Sequence, residues 1–130
     1  MLIGSLIVLI IVGNLMYAYQ CIFQTRTYIE KYGFGEGSAI MTRLVGTFAT
    51  GFAVTLVIAL MTSIKGSWLL FVYGFVQACI GAVVCYQTIH SHWGSVKGLK
   101  TSAEGYIAPA IVAILNLMVL IVDWDNLFKI

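Results

Sequence analysis

Apolar residues run through this chain in four long blocks, and polar residues gather between them. Positions 1–25, 44–64, 66–96 and 105–122 contain no Asp, Glu, Lys or Arg. Each block holds an apolar core long enough to cross a hydrocarbon layer of about 30 Å, which takes roughly 20 residues of α-helix. The runs are continuous, whereas the strands of a transmembrane barrel alternate over about ten residues. The pattern predicts an all-α fold, an integral membrane four-helix bundle forming a single domain over residues 1–130. Its helices are expected at about 2–23, 38–62, 68–88 and 102–124.

Polar punctuation sets the boundaries. The connection at 24–37 reads as a polar loop ending in the flexible turn Gly33-Phe34-Gly35-Glu36-Gly37. Ser38 is placed to N-cap the second helix. A tight turn is expected at 63–67, and a longer loop with Gly94 and Gly98 at 90–100. Thr101-Ser102-Ala103-Glu104 reads as a capping box, with Thr101 as N-cap and Glu104 at the third helical position. Pro109 then falls in the second turn of the fourth helix, where it is expected to kink it gently. The first block lacks a basic lead-in, and Tyr17-Ala18-Tyr19-Gln20 lacks the small-x-small pattern of a cleavage site, so it reads as a retained helix. The first two helices do not match the last two in sequence, which gives an inverted-repeat transporter no support.

Composition sharpens this picture. Hydrophobic residues make up 61% of the chain and charged residues 9%, against about 25% charged in a soluble domain. A net charge of +2 is too small to argue for nucleic acid. Arg26, Lys31, Arg43, Lys97 and Lys100 lie on the side of the loops after helices one and three, and Lys65 and Lys129 on the side of the termini. This bias predicts the two loops in the cytoplasm and the termini outside, in a bacterial inner (plasma) membrane. In an organellar inner membrane the same rule points the loops to the matrix or stroma. Trp68, Trp93 and Trp124 fall near span ends, as an aromatic belt requires. Cys21, Cys79 and Cys85 form no CxxC motif and read as apolar packing residues.

Within lipid, helix association depends on small residues and interhelical hydrogen bonds. Gly46, Ala49 and Ala53 mark one stripe of the second helix, and Gly74, Ala78 and Gly81 one of the third. Close approach of helices two and three is the expectation. Gln77 and Asn116 lie near mid-span and are candidates to meet across the bundle. Arg43, one turn inside the second helix, either snorkels to the interface or faces inward. In the second case Arg43, Asn14, Tyr17 and Glu104 would form a pocket for an anionic head group or a carboxylate. His90 and His92 fall short of a metal site, since two histidines need a third ligand. No metal, cofactor or catalytic residue is expected. Proton-coupled transporters place Asp or Glu within the membrane, and the uncharged blocks hold none.

The stretch from Tyr32 to Gly46, with a polar loop and then an arginine three residues before a glycine in an apolar helix, resembles the start of the second helix in DoxX-like proteins. Those are small four-helix membrane proteins linked to quinone-associated redox complexes. The resemblance implies a subunit role and singles out Arg43 and Gly46 as candidate pocket residues. The residues themselves favour a non-catalytic accessory or structural subunit of a larger membrane complex, with membrane lipids and other integral membrane subunits as partners. The alternative is a stand-alone protein that binds or transports a lipid-like or quinone-like ligand near Arg43. An enzyme is not expected.

Overall fold

The computed structural model describes residues 2–128. Lys129, assigned above to the side of the termini, lies outside the described residues, as does Ile130. Among the described residues the chain is helical without strands. Four helices are long and apolar enough to cross a membrane: α1 (Leu2–Ile22), α3 (Ala39–Thr62, preceded by a 3-10 turn at Glu36–Ser38), α4 (Trp68–Ile89) and α5 (Glu104–Val122). Two short α-helices, α2 (Thr25–Tyr32) and α6 (Trp124–Leu127), and a 3-10 turn at His92–Ser95 complete the set.

Each boundary has a local cause. The Thr25 hydroxyl bonds the Cys21 and Ile22 carbonyls at 2.7 and 3.1 Å, satisfying acceptors at the end of α1 where α2 begins. Where the sequence suggests only a loop, α2 forms, supported on its outer face by Arg26 and Glu30 one turn apart. Gly33 stops it in the left-handed conformation (φ 68°), with Phe34 N–H donating to the Ile29 carbonyl as in a Schellman ending. Ser38 precedes α3 as expected, but its hydroxyl bonds back to the Gly35 carbonyl instead of capping the helix.

The expected capping box does not form. Ala103 is the N-cap of α5, Glu104 is its first residue, and no side chain caps the end. Glu104 is drawn away by Lys31 and Tyr32 of α2. An ionised partner and a phenol offer a carboxylate stronger hydrogen bonds than one backbone amide of its own helix. At its far end α5 breaks at Asp123. Asn126 donates to the Asp123 carboxylate at 2.7 Å, and α6 turns back under the bundle.

Helix pairing follows chain order: α1 packs on α3, α4 on α5, and the two hairpins join through α1 against α5. The small-residue faces serve chiefly these pairs, and at the expected seam between helices two and three Gly74 alone of the glycines takes part, beside Phe52. Gly46 lets α3 approach Cys21 and Ile22 of α1. Gly74 lets α4 approach Asn116 of α5, and Gly81 faces Pro109 across the same seam. Ala53 and Ala78 are buried and Ala49 is half-buried. α3 meets α4 where Phe52 lies beside Gly74 and Tyr73.

The shared core occupies one half of the bundle. Leu6, Ile7 and Ile10 of α1, Leu56 of α3, Phe71 of α4, Val119 of α5 and Leu127 of α6 form it, and all lie toward the termini. In the other half the buried side chains sit inside each hairpin. There the hairpins are joined at the loops, where Lys100 N–H donates to the Tyr32 carbonyl at 2.8 Å and Gly33 lies against Gly98.

Candidate functional site

The residues expected near Arg43 are distributed over the loop half, not gathered in one pocket. Arg43 is exposed on α3. Asn14 is half-buried and donates to the Ile10 carbonyl of its own helix at 2.9 Å. Tyr17 meets Tyr28 of α2 edge-on, with ring centroids 6.1 Å apart. Glu104 accepts from Lys31 Nζ and Tyr32 OH, each at 3.0 Å. The short helix α2 thus takes two of the four candidates, Tyr17 and Glu104, as its own partners.

Around α2 the aromatic rings are continuous. Tyr28 contacts Tyr32 at 4.9 Å, and Phe34 stacks on Tyr32 at 5.8 Å. Burial among these rings pushes the Tyr28 phenol above its ordinary pKa. The hydrogen bond to Glu104 raises the Lys31 ammonium above its own, so this pair stays ionised through the neutral range.

Two open grooves border this cluster. The larger, about 500 Å³, runs along α1 past Leu15, Tyr19 and Phe23 to Thr50 of α3 and is mostly apolar. The smaller, about 180 Å³, is lined by Gln20, Gln24, Thr27, Tyr28 and Lys31. Gln20 and Gln24 line both. Sequence reasoning passed over this face because it treated 24–37 as a loop. Within α2 only Thr27 and Lys31 carry a periodic signal, four residues apart on one side of the helix, while Gln20 belongs to α1 and Gln24 to the junction between the two. An apolar trough leading to amides and an ammonium group suits an amphipathic molecule with a polar head.

The other candidates serve packing or stay outward. Asn116 is fully buried and donates to the Val112 carbonyl at 2.9 Å, and its side-chain oxygen lacks a hydrogen-bond partner. Gln77 is exposed and does not meet Asn116, whose amide lies against Gly74 instead. Cys21 is buried, Cys79 and Cys85 are half-buried, and all three are free thiols. The His90 Nδ1 lies 2.8 Å from the Tyr86 carbonyl, and the His92 ring packs on Trp93. Among the described residues, no three His, Cys, Asp or Glu side chains cluster as metal ligands. No family model, curated protein or solved structure matches the chain.

Proposed function

We propose that the chain is an integral membrane protein acting as a non-catalytic accessory subunit of a larger membrane complex. It would lie in a bacterial inner membrane, with α2 and the loop before α5 on the cytoplasmic side. The observation that carries this reading is the half-length core. Four-way packing holds the end near the termini, while the other half consists of two hairpins tied at the surface. Between 17% and 28% of each apolar span window is buried within the chain, so most of the span surface is offered to lipid or neighbouring helices. A bundle that leaves half its length without a shared core suits a component completed by others. The resemblance to DoxX-like proteins at Arg43 and Gly46 points the same way.

Purification from the native membrane in mild detergent tests the proposal. A stoichiometric integral membrane partner is expected, and recovery of the chain without any partner protein would overturn it. A second reading, binding of a lipid-like or quinone-like ligand, is favoured by the two neighbouring grooves that share Gln20 and Gln24 in their linings. Mass spectrometry of extracts from the purified protein tests it: one enriched amphipathic species supports it, and bulk membrane lipid in bulk proportions counts against it.

A further inference from the structure

The flank of α4 that borders α3 carries a row of outward side chains. Tyr73, Gln77, Ile80, Val84 and Gln87 follow at steps of four, three, four and three residues, and all five are exposed. That spacing keeps one seam turned toward a partner helix wound about it. Inside the bundle α4 buries other positions: Phe71, Gly74 and Ala78. The Phe52 ring lies 6.2 Å from Tyr73, so the row starts from an anchored side chain.

Gln77 stands at the middle of this row and near the middle of the helix, as the tenth of its 22 residues. On a water-facing helix that would be unremarkable. At this depth in hydrocarbon no water is available, and an amide with two N–H donors and a carbonyl acceptor needs a partner. A polar group at one seam position also sets register and strand number in paired helices.

We propose that α4 is a self-association face. Two copies of the chain pair α4 against α4 about a two-fold axis along the membrane normal, each Gln77 amide donating to the other's carbonyl. A second copy is the occupant the chemistry favours. An amide is donor and acceptor at once and so is complementary to itself. The two-fold axis sets both Gln77 side chains at one depth by symmetry, whereas an unrelated helix must bring its own polar group to that depth. The inference rests on the membrane-spanning part of the proposed function and goes beyond it, because an accessory subunit has no need to pair with itself.

The test uses the full chain, expressed alone, labelled with donor or acceptor dye and reconstituted into phosphatidylcholine–phosphatidylglycerol vesicles at decreasing protein-to-lipid ratio. Wild type is expected to show energy transfer that dilutes away as a dimer. Gln77→Leu is expected to weaken the dimer by about tenfold. Gln77→Asn should retain most of it, and Leu9→Ala on exposed α1 should leave it unchanged. With Cys21, Cys79 and Cys85 replaced by Ala, Gln77→Cys is expected to form a covalent dimer on mild oxidation. Monomeric wild type, a Gln77→Leu dimer of undiminished affinity, or cross-linking through position 77 only to a different protein in native membranes would each overturn the proposal. Carbonate extraction of the same vesicles separates the two readings. A chain that is retained but monomeric sinks only the self-association, whereas a chain that is released sinks the membrane reading and this inference with it.

Discussion

Lys31 and Glu104 lie 73 positions apart in the chain and 3.0 Å apart in space, joining α2 to the first residue of α5. This is the one ion pair between the two hairpins among the described residues, since Arg26 and Glu30 both lie on α2. The bond raises the Lys31 pKa above its ordinary 10.5, so its stabilisation is complete below the unfolded value and fades as pH rises through the folded one. In detergent, the melting temperature of wild type should therefore fall more steeply than that of Glu104→Gln above about pH 10. At neutral pH wild type should be the more stable of the two by the same small margin that it then loses, small because both side chains are more than half exposed to solvent. Parallel alkaline limbs would show that the pair does not hold the hairpins.

Gly33 carries a heavier share of the same junction. It sits at φ 68°, and a Cβ there would run into the Gly98 carbonyl. Gly33→Ala combines backbone strain with a clash against backbone, and is expected to destabilise the chain by about 2 kcal/mol or more. Gly35→Ala, two residues on, meets nothing within 4 Å and should be close to neutral. Limited proteolysis of the loop at 90–100 reads the difference, with faster cleavage expected for Gly33→Ala alone.

The four long apolar helices were legible because charge is absent over lengths that only a membrane or a very large core tolerates, and the observed helices agree with the expected ones to within about two residues at most ends. The pairing of the spans was harder to read. Gly46 and Gly74 announce that some backbone comes close, but glycine carries no side chain to say which. In the structure Gly46 takes α1 and Gly74 takes α5. The candidate site was read least well, for a related reason. Eight residues of α2 were hidden in a stretch whose glycines and charges resemble a loop, and its Lys31 and Tyr32 claim Glu104 at the expense of both the capping box and the Arg43 pocket.

The seam at Gly74 supports a test of coupling between two hairpin partners. A Cβ at this position would lie 2.6 Å from Asn116 Oδ1 and 2.7 Å from Phe52 Cζ. Gly74→Ala is expected to cost about 1–3 kcal/mol as an overpacked contact. Asn116→Ala removes one of the two obstacles, so the double variant should be less unstable than the sum of the singles, by about 0.5 kcal/mol or more. Strict additivity in reversible unfolding would mean that the two side chains do not share this space. Gly51→Ala, on the exposed face of α3 with nothing within 4 Å, should instead stabilise its helix by about 0.5–1 kcal/mol.

Closure of the bundle near the termini depends on a segment that is only one turn long. Leu127 of α6 is fully buried against the core that includes Leu6, Ile7 and Phe71, and Phe128 stacks on Trp68 with ring centroids 5.1 Å apart. A four-residue helix has no stability of its own, so α6 keeps its place through these side chains and the Asn126–Asp123 bond. Leu127→Ala should cost about 2–5 kcal/mol, the range for emptying a filled site. Met61→Ala, at 81% exposure on the last turn of α3, should stay within about 0.5 kcal/mol of wild type. Equilibrium unfolding in mixed detergent micelles compares the two directly. If Leu127→Ala is as stable as Met61→Ala, α6 does not close the core and the half-length packing must be held by the long helices alone.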